Sequence, residues 1–337
     1  MIIVLKPNIS KKQEDAVLKE IKKLGYRPHI MRGVARVVIG AIGDERSHLS
    51  LETLTTWPQV ENVMPVQKRY KLVSREAHPI NSTVSARGVV IGGRKFQVMA
   101  GPCSVENEKQ LMTAAHAVQK AGATVLRGGA FKPRTSPYEF QGLGEKGLKL
   151  LAKAREATGL PVVTELLSEQ HAEMVAQYAD ILQIGTRNAQ NFQLLIAAAR
   201  TGKPVLLKRG MAMRIEEWLL AGEYILANEN PNLMFCERGV RTFETFTRNM
   251  LDLSTIPIIK MESHCPIVID PSQGAGRADL VTALCKGAVA MGADALIIEV
   301  HPKPSEAWSD GAQQVTPEGF VRLMDEIKPF IAAAGRD

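Results

Sequence analysis

The hydrophobic and polar positions follow two different patterns along the chain, and the first pattern covers residues 1–67. An apolar run at residues 1–6 is typical of a strand, and residues 11–25 have the apolar spacing of an amphipathic helix. One face of that helix is expected to be buried through Ala16, Val17, Ile21 and Leu24. Two strand-like runs, a second helical segment and a last strand-like run follow at residues 27–31, 35–43, 50–57 and 60–67. This order, β-α-β-β-α-β, predicts a small ferredoxin-like α+β domain.

Residues 68–95 are polar and contain many turn residues. This composition predicts a linker between two domains. A short hairpin is expected inside it, in which residues 89–92 pair with residues 95–98.

The second pattern covers residues 96–337, where short aliphatic runs alternate with helical segments. Near-continuous apolar runs that alternate with helices indicate a parallel sheet. Eight such runs in one domain favour a closed (β/α)8 TIM barrel over an open doubly wound sheet. The predicted strands are residues 97–101, 124–129, 161–166, 180–185, 204–210, 233–239, 266–272 and 295–301.

Composition narrows the class of protein. The 337 residues are 45% hydrophobic, which fits about two globular domains. No apolar run reaches the ~20 residues of a membrane helix, so no membrane association is expected. The four cysteines lack C-x-x-C spacing, which favours a reduced, cytoplasmic protein. The net charge of +7 is spread along the chain without a basic run, which argues against a nucleic-acid partner.

Residues at the carboxyl ends of barrel strands line the active-site face. Six cations stand at or just after four of the predicted strand ends. Such a group would be costly without anions to neutralise it, so it predicts substrates with several negative charges. The six cations are Arg127, Lys132, Arg134, Arg187, Lys208 and Arg238.

A second group of candidate residues is anionic and soft. Cys103, Glu299 and Asp310 combine a thiol with two carboxylates, which suits a divalent transition metal. His301 follows Glu299 by two positions and shares its side of the strand. Three roles stay open for this histidine: metal ligand, general acid or base, and structural core residue.

Several continuous segments resemble 3-deoxy-D-arabino-heptulosonate 7-phosphate (DAHP) synthase. The similarity extends over essentially the whole chain and is closest to the short form, whose N-terminal ferredoxin-like domain serves feedback control. The segment KPRTS is specific, because related synthases that use longer sugars lack it in this form. The segments are AGPCS (100–104), LRGGAFKPRTSPYEFQGLGEKGL (126–148), QIGTRNAQNF (183–192), LLKRG (206–210), CERGVRTFE (236–244) and EVHPKP (299–304).

The resemblance implies condensation of phosphoenolpyruvate with erythrose 4-phosphate and release of inorganic phosphate. In the matched positions, Arg134, Thr135 and Ser136 would hold the phosphate of erythrose 4-phosphate. Glu145 would lie near the enolpyruvate and its attacking water. The phosphate and carboxylate of phosphoenolpyruvate would be bound by Arg127, Lys132, Arg187, Lys208 and Arg238.

The resemblance also implies a divalent metal ion (Mn, Mg, Zn, Co or Fe) held by Cys103, Glu299 and Asp310. That metal would polarise the aldehyde, and Lys132 could pass a proton to the new alkoxide. The candidate catalytic residues are therefore Lys132, Cys103, Glu145 and His301.

The sequence departs from the family pattern after the seventh predicted strand. There the family has a metal-binding histidine in D-P-S-H, and this chain has Gln273. Three explanations compete. Gln273 ligates weakly through its amide oxygen, or the metal has become loose or dispensable, or the chain is a catalytically altered paralogue with another aldehyde or a regulatory role.

Two alternative functions remain open for the chain. A Schiff-base aldolase would use Lys208, and a non-enzyme alternative makes the chain a regulatory protein that senses an aromatic amino acid. By resemblance, residues 1–67 are expected to bind tyrosine or phenylalanine as an effector. A homo-oligomer is also expected, either a tetramer or a dimer.

Overall fold

The computed structural model describes residues 1–32, 36–43, 50–64 and 68–337. The chain forms two compact units, Met1–Arg69 and Tyr70–Asp337.

The first unit contains a four-stranded antiparallel sheet in the order β2-β3-β1-β4. It confirms the predicted ferredoxin-like domain, although residues 65–67 of the last predicted strand lie outside the described ranges. Its regular elements are β1 (Ile2–Leu5), α1 (Lys11–Lys23), β2 (Arg27–Arg32), β3 (Val37–Ile42), a 3-10 helix (Leu51–Thr56) and β4 (Val60–Met64).

The second predicted helix of this unit is the short 3-10 helix Leu51–Thr56, not an α-helix. Its threonine hydroxyls donate to backbone carbonyls three residues earlier, as Thr55 does to Glu52 at 2.6 Å. β-branched residues and such local hydrogen bonds both disfavour a longer α-helix.

The buried face of α1 differs from the prediction at one position. Ala16 is exposed, whereas Glu14 is buried together with Val17 and Ile21. Residues 14, 17 and 21 share one helix face, and Ala16 lies about 100° around the helix from Val17. A carboxylate is tolerated there because Arg32 NH2 lies 2.6 Å and Lys11 Nζ 2.9 Å from Glu14 Oε1.

The segment predicted as a linker is packed onto the second unit from Tyr70 onward, so this prediction needs correction. Its hairpin pairs β5 (Val84–Ala86) with β6 (Val89–Ile91), not residues 89–92 with 95–98. Arg87 and Gly88 both have positive φ, which is the backbone of a two-residue hairpin turn. Val84, Ala86 and Ile91 pack against side chains inside the barrel, so they belong to its core.

The second unit is a closed parallel barrel of eight strands, as predicted. Every strand residue is buried, because helices cover the outer face and side chains fill the interior. The strands are β7 (Gln97–Gly101), β8 (Val125–Arg127), β9 (Val162–Leu166), β10 (Ile181–Ile184), β11 (Val205–Lys208), β12 (Leu233–Glu237), β13 (Ile267–Ile269) and β14 (Ala295–Glu299).

Nine α-helices belong to the described part of this unit, and none of them could cross a membrane by its length and hydrophobicity. They are α2 (Glu108–Lys120), α3 (Glu145–Thr158), α4 (Ala172–Tyr178), α5 (Phe192–Arg200), α6 (Ile215–Leu226), α7 (Thr255–Glu262), α8 (Pro271–Ala275), α9 (Ala278–Ala290) and α10 (Pro317–Ala333). Four 3-10 turns lie between them, at Glu169–His171, Thr186–Asn188, Pro304–Glu306 and Gly311–Gln313.

Replacing Glu14 by glutamine is expected to destabilise α1. Hydrogen bonds from Arg32 lower the pKa of Glu14 to about 2. The Glu14–Arg32 pair therefore contributes fully to the free energy of unfolding above pH 4.5, the ordinary pKa of the carboxyl group. Its contribution declines as the pH falls towards 2. We expect the substitution to lower the free energy of unfolding by about 1 kcal/mol at pH 7. Faster amide exchange of α1, measured by mass spectrometry, would show it.

The matched control is Glu20→Gln, which removes only a surface pair with Lys23 at 3.2 Å. It should leave exchange nearly unchanged. Equal exchange in Glu14→Gln and the wild type at pH 7 would contradict the prediction.

Candidate active site

A cavity of about 290 Å³ opens at the carboxyl ends of the barrel strands. All six predicted cations and Thr135 line it, and Arg248 is a seventh cation at its wall. The carboxylates that line it are Glu139, Glu165 and Asp310. Because cations outnumber carboxylates, the cavity favours an anionic occupant.

Unsatisfied polar atoms point to the same conclusion. In the described ranges, four buried side-chain nitrogen or oxygen atoms lack a hydrogen-bond partner. Three of them belong to cavity residues: Arg127 Nε, Arg134 NH1 and Thr186 Oγ1. Buried polar atoms are almost always paired in proteins, so these donors are available to a ligand.

Two of the buried cations are already paired with carboxylates. Arg127 NH1 lies 2.5 Å from Glu299 Oε1, at the end of β14. Lys208 Nζ, at the end of β11, lies 2.6 Å from Asp270 Oδ2, just after β13. These pairs allow two charged groups to stay buried at the cavity wall.

Lys132 extends from the segment after β8 towards Cys103. Its Nζ lies 3.0 Å from Cys103 Sγ and 4.0 Å from Asp310 Oδ2. Burial and the nearby Glu299 carboxylate raise the pKa of Cys103 to about 12. The thiol is therefore protonated and donates to Asp310 Oδ2 at 3.2 Å.

The donor atoms of Cys103, Glu299 and Asp310 all lie within 4.8 Å of one another. One sulfur and two carboxylates fit a divalent transition metal, and a metal would displace the thiol proton. Asp310 has a left-handed backbone, with φ of 46°. Such a conformation is uncommon for a residue other than glycine and is typical of functional sites.

Gln273 lies beside these three residues, in the first turn of α8. Its amide oxygen accepts from Arg238 NH2 at 3.1 Å. Its amide nitrogen donates to Glu299 Oε1 at 3.1 Å and is 3.5 Å from Asp310 Oδ2. The nitrogen, not the oxygen expected to ligate, therefore faces the candidate metal ligands Glu299 and Asp310.

Two candidate catalytic residues lie outside the cavity. Glu145, exposed at the first turn of α3, pairs with Lys149 at 3.1 Å and accepts from Tyr178 at 3.1 Å. His301 is buried behind the wall, with Nε2 3.3 Å from a Glu106 oxygen.

The hydrogen bonds of His301 favour the structural role over the roles of metal ligand and general acid or base. Its Nδ1 accepts the backbone N–H of Lys303 at 3.0 Å, and Glu106 also accepts the backbone N–H of Trp308 at 2.8 Å. The pair thus fixes the loop that precedes Asp310, as a structural histidine would.

Ser136 is half-buried and also absent from the cavity wall. Its backbone N–H donates to Glu139 Oε2 at 3.3 Å, and Arg134 NH2 donates to Glu139 Oε1 at 2.7 Å. Glu139 therefore orders the segment that carries Arg134 and Thr135.

Glu165 and Arg248 are among the cavity residues that had no predicted role. Glu165, at a strand end, is buried, and burial raises its pKa despite the nearby cations. A side chain at Gly185 would approach Glu165 Oε1 to 1.9 Å, so glycine makes room for this carboxyl group. Arg248 NH1 lies 3.0 Å from Asp310 Oδ1. The sequence gives no signal for Arg248, because it lies far from any strand end.

Comparisons with known proteins agree with this geometry. The DAHP synthetase I family matches residues 73–332, and the DAHP synthase ferredoxin-like domain matches residues 1–68. A phospho-2-dehydro-3-deoxyheptonate aldolase of Thermotoga maritima is 50% identical over 335 residues, which cover 99% of each chain. A 2-dehydro-3-deoxyphosphooctonate aldolase of Caulobacter vibrioides is 32% identical over 260 residues, which cover 71% of this chain and 89% of that one.

The fold comparison gives the same relationship. The crystal structure of the T. maritima DAHP synthase superposes with a TM-score of 0.95 at 49% identity, covering 100% of this chain and 98% of that chain. A truncated form of the T. maritima enzyme has a TM-score of 0.75 and covers 80% of this chain and 98% of that chain. Both regions of the sequence and the cation-lined cavity thus lead to one conclusion: the chain belongs to the DAHP synthase family, with its ferredoxin-like domain before the barrel.

Proposed function

We propose that the cavity condenses phosphoenolpyruvate with erythrose 4-phosphate to give DAHP and inorganic phosphate. The observation that carries the proposal is the convergence of seven cations on one cavity, beside a Cys-Glu-Asp donor set that reaches the cavity wall through Asp310. This reaction begins the shikimate pathway to aromatic amino acids. The alternative of a catalytically altered paralogue is not favoured, because the T. maritima enzyme is 50% identical over nearly the whole chain.

The cations divide between the two substrates. The phosphate and carboxylate of phosphoenolpyruvate would be held in the cavity by Arg127, Lys132, Arg187, Lys208 and Arg238. The phosphate of erythrose 4-phosphate would be held at the segment that contains Arg134, Thr135 and Ser136. This arrangement keeps two polyanions close together and offsets their mutual repulsion.

In the reaction, C3 of phosphoenolpyruvate forms a bond to the aldehyde carbon, water adds at C2, and phosphate leaves. A divalent metal held by Cys103, Glu299 and Asp310 would polarise the aldehyde oxygen. Lys132, whose Nζ lies 3.0 Å from Cys103 Sγ, would donate a proton to the oxygen that becomes an alkoxide. Glu165 lines the cavity and Glu145 does not, so we propose that Glu165, and not Glu145, lies near the enolpyruvate.

The structure gives no support to a Schiff-base aldolase at Lys208. A Schiff-base lysine needs a free amine, whereas the Nζ of Lys208 is held at 2.6 Å by the buried carboxylate of Asp270.

The ferredoxin-like domain supports feedback regulation, and we propose tyrosine or phenylalanine as its effector. A homo-oligomer, tetrameric or dimeric, would fit an enzyme regulated in this way.

Removing the metal is expected to abolish turnover. Phosphate release from the two substrates should stop in the presence of a chelator, because the aldehyde loses its electrophile. It should return when Mn²⁺, Mg²⁺, Zn²⁺, Co²⁺ or Fe²⁺ is added back, and the ranking of ions would identify the preferred metal. Turnover that is indifferent to the chelator would contradict the proposed metal role.

Replacing Asp270 by alanine is expected to destabilise the barrel, because it leaves the buried Lys208 ammonium without its carboxylate. The loss should be about 3 kcal/mol, seen as a lower melting temperature by calorimetry. The matched control is Asp279→Ala, which removes an exposed pair with Arg277 at 2.7 Å and should cost less than about 0.5 kcal/mol. Equal melting temperatures for the two variants would contradict the importance of the buried pair.

Deleting residues 1–69 is expected to separate regulation from catalysis. The barrel unit should keep phosphate release, because the cavity lies within Tyr70–Asp337. Inhibition by tyrosine or phenylalanine should disappear, as measured by titrating each amino acid into the assay. Inhibition that survives the deletion would place the effector site on the barrel.

A further inference from the structure

Arg238 differs from the other buried cations of the cavity in its partners. Arg127 is paired with Glu299, and Lys208 is paired with Asp270. Arg238 is only 5% exposed, yet no carboxylate oxygen of the described residues lies within 4.0 Å of its guanidinium. Its acceptors are neutral: the Gln273 amide oxygen at 3.1 Å and the Gly239 carbonyl at 3.4 Å.

A neutral acceptor has a particular consequence for a binding site. An amide oxygen fixes the direction of a guanidinium without cancelling its charge. A carboxylate in the same place would neutralise it and reduce its attraction for an anion. Arg238 is thus held in place with its full charge available to a ligand.

The hydrogen bond to Arg238 also fixes the other end of the Gln273 amide. A guanidinium can only donate, so the amide must present its oxygen to Arg238 and its nitrogen to Glu299 and Asp310. The backbone is held as well, because Gln273 N donates to Asp270 Oδ1 at 2.9 Å and Gln273 O accepts from Asn249 at 3.0 Å.

A metal ligand at this position would need the opposite orientation. If the amide oxygen turned towards Glu299 and Asp310, the NH2 group would face Arg238, and two donors would oppose each other. The acceptor of a buried cation would be lost, which is costly. The contacts therefore favour an amide that links Arg238 to the carboxylates of Glu299 and Asp310 over an amide that ligates a metal.

We propose that Gln273 is a positioning residue and not a metal ligand. Its oxygen orients Arg238 for the anion of phosphoenolpyruvate, while its nitrogen orients the carboxylates of Glu299 and Asp310. The protein ligands of the metal are then Cys103, Glu299 and Asp310. This inference rests on the proposed function for the identity of the anion.

The chain offers a matched control in Gln313. Its side-chain nitrogen donates to the other oxygen of the same carboxylate, Glu299 Oε2, at 2.8 Å. Its oxygen accepts from Arg248 at 3.3 Å, not from Arg238. Gln273→Leu and Gln313→Leu each remove one donor to Glu299, but only Gln273→Leu removes the side-chain acceptor of Arg238 and leaves it, within the described part of the chain, the Gly239 carbonyl alone.

The first measurement is phosphoenolpyruvate binding to the full chain in chelator, by titration calorimetry. Without metal, the result reports only on the anion site. Gln273→Leu is expected to weaken binding about tenfold, and Gln313→Leu less than about twofold. Wild-type affinity in Gln273→Leu, or equal losses in both variants, would overturn the proposal.

The second measurement is Mn²⁺ binding without substrate, from the electron paramagnetic resonance signal of free Mn²⁺. The two variants should weaken binding by a similar factor, because each removes one short hydrogen bond to Glu299, and Gln273→Leu removes in addition only the 3.5 Å contact with Asp310 Oδ2. A much larger loss in Gln273→Leu than in Gln313→Leu would show direct ligation and overturn the proposal.

Gln273→Glu provides a second variant if the leucine variant does not fold. Its carboxylate keeps the side-chain length but neutralises Arg238, so metal-free phosphoenolpyruvate binding should again fall at least about tenfold. Unchanged binding would overturn the proposal.

Wild-type turnover with both substrates separates this inference from the proposed function. If the wild-type chain turns over and the Gln273 variants bind phosphoenolpyruvate as the wild type does, only the inference is overturned. If the wild-type chain does not turn over but the Gln273 variants bind phosphoenolpyruvate more weakly than the wild type, only the proposed function is overturned. A wild-type chain that binds no phosphoenolpyruvate overturns both.

Discussion

The concentration of positive charge in one cavity is the constraint on which the rest of the site depends. Cations brought together at one end of a barrel repel each other, and burial makes that repulsion stronger. The structure offsets it in two ways. Carboxylates at other strand ends neutralise Arg127 and Lys208, whereas neutral acceptors hold Arg238. What remains is a positive cavity with unsatisfied donors, which two phosphorylated substrates can complete.

Two carboxylates, those of Glu299 and Asp310, link the cations of the cavity to the candidate metal site. Glu299 accepts from Arg127 through one oxygen and from Gln313 through the other, and it is also a candidate metal ligand. Asp310 is contacted by Arg248 on one oxygen and by Cys103 on the other. The cavity cations and the candidate metal ligands therefore form one hydrogen-bonded network, so a change at one of these groups should alter the others.

The barrel supplies the rigidity that this network needs. Strands of three to five residues, buried along their whole length, end at one rim and present the charged residues there. The His301–Glu106 pair supports the loop before Asp310 from behind the wall, and Gly185 leaves space for Glu165. His301, Glu106 and Gly185 are not proposed to bind the substrates, but they fix the positions of the charged groups that are.

The sequence by itself determined the architecture and the composition of the site. Buried parallel strands read as continuous apolar runs, so all eight barrel strands were found in the right places. Because parallel strands end at one rim, the order of strands and charges along the chain was enough to assign the six cations to a single cavity. The segments that carry the family resemblance lie at the ends of barrel strands for the same reason, because those ends present the charged residues.

Only the tertiary structure decided which groups face each other. The sequence could not distinguish Glu165 from Glu145, since the choice depends on how the segment after β8 folds over the rim. It could not place Arg248, whose position is set by a long loop. The exposed Ala16, the hairpin of β5 and β6, and the partner of His301 also depend on contacts between residues distant in sequence. The orientation of the Gln273 amide depends most on such contacts. A glutamine offers both an acceptor and a donor, and only the surrounding charges determine which of the two faces which neighbour.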